Sequence, residues 1–157
     1  MNRTAIVITI VITIAVASTA VLILNNERNK ADDTETEPEV TSMQLILTVD
    51  GNKIPVKWND NASVNAVKAL AKDTLTIEMS RYGGFEQTGH IGKSIVRDDK
   101  SIDVGCGDIV LYNSEQICLY FSDNSYSFTR LGKIDMSDED IISMLDVPNV
   151  KAVFTLE

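Results

Sequence analysis

Residues 43–157 predict a mainly β domain: a compact barrel closed on itself, with a short helix plugging each end. Three observations carry this. Some seven or eight short apolar or alternating runs fall within these 115 residues, separated by Gly, Asn, Asp and Ser turn signals. Only two brief stretches have helical spacing. No strand–helix–strand rhythm is present, and no helix is long enough to cover an open parallel sheet.

The strands follow in order. Residues 44–49 (QLILTV) and 53–58 (KIPVKW) flank Asp50-Gly51-Asn52, a strong hairpin turn. Residues 74–79 (TLTIEM) alternate, placing Leu75, Ile77 and Met79 on one face. Residues 108–113 and 117–122 form a hairpin turning at Ser114-Glu115, with Cys118 expected opposite Leu111 and Cys106 near Asp123. Residues 126–131 make a short strand, and 150–156 (VKAVFTL) close the chain. The first helix spans 61–72, with Val64, Val67, Leu70 and Ala71 at helical spacing and Asn61 or Ser63 as its cap. The second spans 138–146. Ser137 caps it, three acids follow where the helix dipole favours negative charge, and Ile141, Ile142 and Leu145 form its apolar face ahead of Pro148.

A different kind of segment precedes the domain. A run of twenty uncharged, mostly apolar residues starts at Ala5 and ends at Leu24. As a helix it would reach roughly 30 Å, the thickness of a bilayer core. Residues 1–24 are therefore expected to be a single-pass membrane anchor. Ala15-Val16-Ala17 has the small-x-small form of a cleavage site, so a cleaved secretory signal is the alternative. Arg3 and the terminal amine nearly balance Arg28 and Lys30, and the short N-terminal tail favours an extracellular domain. Residues 25–42 hold six acidic and two basic residues and little to bury, and are expected to be a disordered acidic linker.

Charge and motif content exclude several functions. The chain carries a net charge of −9, and residues 43–157 contain 17 acidic and 11 basic side chains with no basic stripe. Nucleic acid is excluded as a partner, since phosphate binding needs clustered Lys and Arg. Cys106 and Cys118 lack CxxC spacing and read as free buried thiols; with no run of histidines, no metal site is expected. Neither GxGxxG nor GxxxxGK[ST] occurs, and no GxSxG elbow, so no cofactor and no activated nucleophile are expected.

Packing explains residues 80–92, SRYGGFEQTGHIG, least well. Four glycines alternate with long polar and aromatic side chains directly after a strand, which predicts a loop on the barrel wall. Arg81 offers a rigid fork of donors able to clamp a carboxylate or polarise a carbonyl. Phe85 can line a pocket or fill core. His90 is the only histidine, able to titrate near neutral pH but without a partner in view. Tyr112 and Tyr120 sit on hairpin arms and read as packing residues. In residues 126–130, YSFTR, aromatic and polar side chains alternate, with Arg130 a second cation at a cleft edge.

MSRYGG after the TLTIEM strand, CGDIVLY, ICLYFSD, the closing SYSFTRLGKI and the DNxxSVNAVKAL helix stand in an order that resembles the small bacterial and archaeal cyclophilin-like family. The resemblance covers residues 43–157. It implies a closed eight-stranded β-barrel with a helix over each mouth and a cleft on the outer wall. In the prolyl isomerases of this fold an arginine, a phenylalanine and a glutamine do the chemistry, and Arg81, Phe85 and Gln87 have a loosely similar order. Their spacing is compressed, and GFEQTG differs from the enzymes' FxxQGG. The leading expectation is therefore a cell-surface binding module for a small molecule or extended peptide. Arg81, Tyr82, Phe85, Glu86, His90 and Arg130 frame its cleft, without catalysis. A peptidyl-prolyl isomerase and a structural extracellular domain are the alternatives.

Overall fold

A computed structural model describes residues 43–157. Its first hairpin joins β1 (Leu45–Val49) to β2 (Asn52–Ile54), with Val49 opposite Asn52. The two loop residues, Asp50 and Gly51, have φ of 46° and 85°, the left-handed pair that matches the twist of a two-residue hairpin. β3 (Val56–Trp58) follows after Pro55. Next come α1 (Ala62–Ala71), β4 (Leu75–Tyr82), β5 (Glu86–His90), β6 (Lys100–Val104), β7 (Asp108–Tyr112), β8 (Gln116–Tyr120), β9 (Asn124–Ile134), α2 (Asp138–Leu145) and β10 (Asn149–Leu156).

The strands pair antiparallel in the order β2-β1-β10-β4-β5-β8-β7-β9-β3. β2 and β3 are two halves of one arm, and they stand at opposite ends of that order. The first half pairs with β1 and the second with β9, so the arm nearly closes the sheet into a barrel. Nine strands follow one another in place of the eight expected. Pro55 is the reason: it has no N–H for the ladder, so the arm switches partners there. β6 stands off the ring and pairs only with the first half of β9, Lys100 opposite Phe128 and Val104 opposite Asn124.

The core fills the barrel. Leu45, Leu47, Ile77, Leu111, Leu119 and Phe154 are among its fully buried side chains. α1 adds Val64, Val67 and Ala71, and the Asn61 side chain caps it by accepting from the Val64 N–H at 2.9 Å. α2 adds Ile141 and Leu145, while Ile142 stays exposed. The Ser137 hydroxyl caps α2 by accepting from the Asp140 N–H.

β7 and β8 are apolar on both faces, and both faces are covered. Ile109, Leu111, Ile117 and Leu119 point into the barrel. Val110, Cys118 and Tyr120 point outward and join Val104 and Phe128 in a second, smaller cluster outside the ring. The hairpin turns through three residues, with Tyr112 opposite Gln116, so Cys118 faces Val110 and not the expected Leu111. Asn113 and Ser114 adopt positive φ to make that turn. Both cysteines are free thiols, Cys118 buried and Cys106 half-buried.

Two further expectations are corrected. The segment 80–92 is a hairpin and not a wall loop: β4 continues to Tyr82, and β5 returns to pair with both β4 and β8. The single-pass membrane anchor, and with it a membrane-tethered extracellular domain, is also withdrawn. Among the described residues no helix is long and apolar enough to cross a membrane. The longer of the two helices, α1, has ten residues and reaches about 15 Å, half a bilayer core. Residues 5–24, on which that expectation stood, lie outside the described residues, as does the linker 25–42.

Candidate functional site

Strand alternation sorts the β4–β5 hairpin into two faces. Arg81 pairs with Gln87 and Tyr82 with Glu86, so the two pairs point to opposite sides of the sheet. Gln87 is fully buried, and its amide Nε2 donates to the carbonyls of Leu145 and Val147 at 2.8 and 2.6 Å, holding the end of α2. Arg81 sits at the same end. It is ion-paired with Asp146 at 2.7 Å, and its guanidinium lies 5.9 Å from the centre of the Phe121 ring.

The other face opens into a cleft of about 410 Å³ on the outer wall. Tyr82, Phe85 and Glu86 of the hairpin line one side. Cys118 and Tyr120 of β8, with Tyr112 of β7, lie at its centre. Asn124, Tyr126 and Phe128 from the outlying half of β9 line the far side. The turn supplies the first of these rings by a close approach. A Cβ on Gly83 would fall 2.2 Å from the Phe85 ring, so only glycine lets that ring fold back over the hairpin.

Six aromatic rings form a connected array. Tyr82 meets Phe85 edge-on at 6.0 Å, and Phe85 stacks parallel to Tyr120 at 6.1 Å. Tyr120 meets Phe128 at 5.8 Å, and Phe128 meets both Tyr112 and Tyr126. Such rings present apolar area together with negative faces.

One acidic group lies among them. Glu86 is 6% exposed, and its Oε2 is buried without a hydrogen-bond partner. Loss of water raises its pKa above the ordinary carboxylate value; hydrogen bonding from Tyr120 and Cys118 opposes the rise without cancelling it. Burial, then the neighbouring Glu86, pushes the Cys118 thiol up to about 12. Burial and hydrogen bonding to Glu86 likewise raise the Tyr120 phenol, and the Asn124 amide donates to its oxygen at 3.2 Å. At neutral pH these are an inert thiol and a protonated phenol. Among the described residues no cluster of three or more His, Cys, Asp or Glu side chains is placed to hold a metal.

Of the residues expected to frame one cleft, three do so: Tyr82, Phe85 and Glu86. Arg81 belongs to the α2 end. His90 contacts the Gln116 amide at 2.8 Å, and only Gln116 reaches the cleft lining. Arg130 is held by the Asp108 carboxylate and by the Asp103 carbonyl at 2.8 Å, and borders a separate groove beside Asn61 and Arg97. The three isomerase candidates are likewise divided, Phe85 in the cleft and Arg81 and Gln87 away from it. Sequence reasoning passed over Tyr112, Tyr120, Tyr126 and Phe128 as site residues. Their signal was aromatic alternation at outward positions of three separate strands.

The profile of the cyclophilin-like family matches residues 47–156, nearly all of the described domain. The chain belongs to the cyclophilin-like family. Its fold is similar to the solution structure of a hypothetical protein from Archaeoglobus fulgidus, with a TM-score of 0.51 and 17% identity, over 73% of this chain and 95% of that one. No curated protein matches. This cyclophilin-like chain carries its cleft on the outer wall of the barrel.

Proposed function

We propose that this cyclophilin-like domain is a binding module, and that the outer-wall cleft takes a small molecule or the side chains of an extended peptide. One observation carries the reading: six connected aromatic rings stand outside the barrel core, around a cleft large enough for a small ligand. The core is complete without them, and Tyr82 and Tyr126 are 63% and 58% exposed. Concave, mostly apolar surfaces with a few polar groups are the usual form of ligand sites.

Family membership favours a second reading, a peptidyl-prolyl isomerase. Strand alternation weighs against it, because it turns Arg81 and Gln87 to the face opposite Tyr82 and Glu86 and leaves only Phe85 of the three in the cleft lining.

One pair of measurements separates the readings. Titration of the isotope-labelled protein with aromatic fragments and short proline-containing peptides, followed by NMR, should shift the β4–β5 hairpin and the tyrosines of β7 and β9. Tyr126→Ala should weaken that binding several-fold without moving the melting temperature. Proline isomerisation should stay at the uncatalysed rate. Turnover that Arg81→Ala abolishes would replace the binding reading with catalysis. A cleft that takes up nothing would leave a structural domain.

A further inference from the structure

The structure carries a statement about ligand charge. We propose that the cleft selects organic cations: an ammonium, free or methylated, seated among the tyrosine and phenylalanine faces with Glu86 as its counter-ion. The inference rests on the binding reading above and names the chemistry of what binds.

Three features point the same way. First, the lining contains no Lys, Arg or His, and Glu86 is its only carboxylate. An anion would find no cation there, only neutral donors such as Gln116 and Asn124 beside the Glu86 carboxyl. Second, the rings come from four strands and the hairpin turn and converge on one space. Aromatic faces attract cations, by about 0.5–1 kcal/mol at exposed sites and about 2 kcal/mol or more where water is excluded. Third, Glu86 is more than nine-tenths buried, lies in the lining, and has a carboxylate oxygen with no partner. An unpaired buried acceptor costs about 1–3 kcal/mol. The neighbouring Tyr120 and Cys118 leave that oxygen unsatisfied. A cation seated against the carboxyl supplies the missing charge in a low dielectric, where the attraction is strongest.

The cation has two possible sources, a free small amine or the side chain of a lysine on an extended peptide. Both offer the same group to the same wall.

The test titrates the full chain with three probes that share one ring: benzyltrimethylammonium, benzyl alcohol and phenylacetate. Binding is read by NMR shifts at the cleft. The cation should bind at least tenfold more tightly than the alcohol, and phenylacetate not at all. Glu86→Gln keeps the shape and removes the charge, and should cost about tenfold for the cation through the lost close-range Coulomb attraction, with a far smaller effect on benzyl alcohol. Tyr82→Ala, at an exposed position, should cost the cation about two- to fivefold. The probe ranking and the Tyr82 variant retain the test if Glu86→Gln does not fold. A second arm compares acetyl-Ala-Lys-Ala-amide with its Nε-acetylated form. Binding of the first alone assigns the source to a peptide lysine; binding of benzyltrimethylammonium without either peptide assigns it to a free amine. Equal binding of the cation and the alcohol, or binding of phenylacetate, overturns cation selection and leaves the binding module standing. Failure of all three probes and of the lysine peptide overturns cation selection, while the binding module is decided separately by the fragment and peptide titration above.

Discussion

Glu86 is the residue at which folding and the proposed cation site pull in opposite directions. Its carboxyl is buried beneath rings, so the fold favours the neutral acid and the pKa is raised, chiefly by desolvation. The consequence for stability has a definite sign. Below the ordinary carboxylate pKa, both folded and unfolded chains carry the proton. As pH rises past about 4.5, the unfolded chain releases it first, and the folded state loses stability until its own raised pKa is passed. Tyr120 and Cys118, the titratable groups facing Glu86, keep their own protons throughout this range. The difference in unfolding free energy between wild type and Glu86→Gln should therefore move in favour of the variant from pH 4.5 towards neutrality. Denaturant titrations at a series of pH values would measure it, and a difference that stays flat with pH would mean that Glu86 ionises freely. Sequence reasoning marked Glu86, Tyr82 and Phe85 because they surround a glycine pair. It grouped Arg81 and Gln87 with them because spacing along a segment does not tell which side chains share a face. Once 80–90 is a hairpin, alternation sends Arg81 and Gln87 one way and Tyr82 and Glu86 the other.

At the scale of elements, the strands that were legible are those whose apolar content is their own. QLILTV, TLTIEM, DIVLY and ICLYF announce themselves, and both helices carry caps and periodicity within a few residues of their observed ends. β5 and β6 were not legible. β5 reads EQTGH and β6 reads KSIDV, short and polar, and each is a strand because a neighbour pairs with it: β5 lies between β4 and β8, and β6 beside β9. Tertiary pairing overrides their weak propensity. One joint between elements has a measurable strength. The C-terminal turn of α2 leaves carbonyls without helical partners, as every helix end does. The buried Gln87 amide takes that of Leu145, and with it the Val147 carbonyl just past the helix. Gln87→Ala leaves both acceptors bare in the core and should cost about 2 kcal/mol of stability, seen as a lower denaturant midpoint with an unchanged slope. The loss should be accompanied by faster amide exchange in α2 than in the distant β1–β2 hairpin. Uniform exchange would mean that the helix is held mainly by Ile141 and Leu145.

For the whole described domain the question is what holds the ring shut. The arm of β2 and β3 is only two strands of three residues, and it pairs with β1 on one side and β9 on the other. Three-residue ladders are weak alone. Trp58, the last residue of β3, adds what the ladders lack. Its indole N–H donates to the Leu45 carbonyl at 2.7 Å, and its ring lies 6.2 Å from that of Phe154. Leu45 opens β1 and Phe154 belongs to β10, so one side chain ties the end of the arm to two further strands of the ring. It also packs against Gly132 of β9, where an added Cβ would fall 2.8 Å from the Lys57 carbonyl. Removing the hydrogen bond alone, by Trp58→Phe, should cost about 1 kcal/mol. Removing the ring as well, by Trp58→Ala, should cost roughly 3 kcal/mol, near the lower end for deleting a large aromatic because the site is only half-buried. If closure makes the barrel fold as one unit, the loss in Trp58→Ala appears as a shifted but still single transition, coincident by far-ultraviolet and tyrosine signals. Two separated transitions, with the β7–β8 hairpin outlasting β1–β3, would mean that the arm is an appendage and that the sheet stands without being closed.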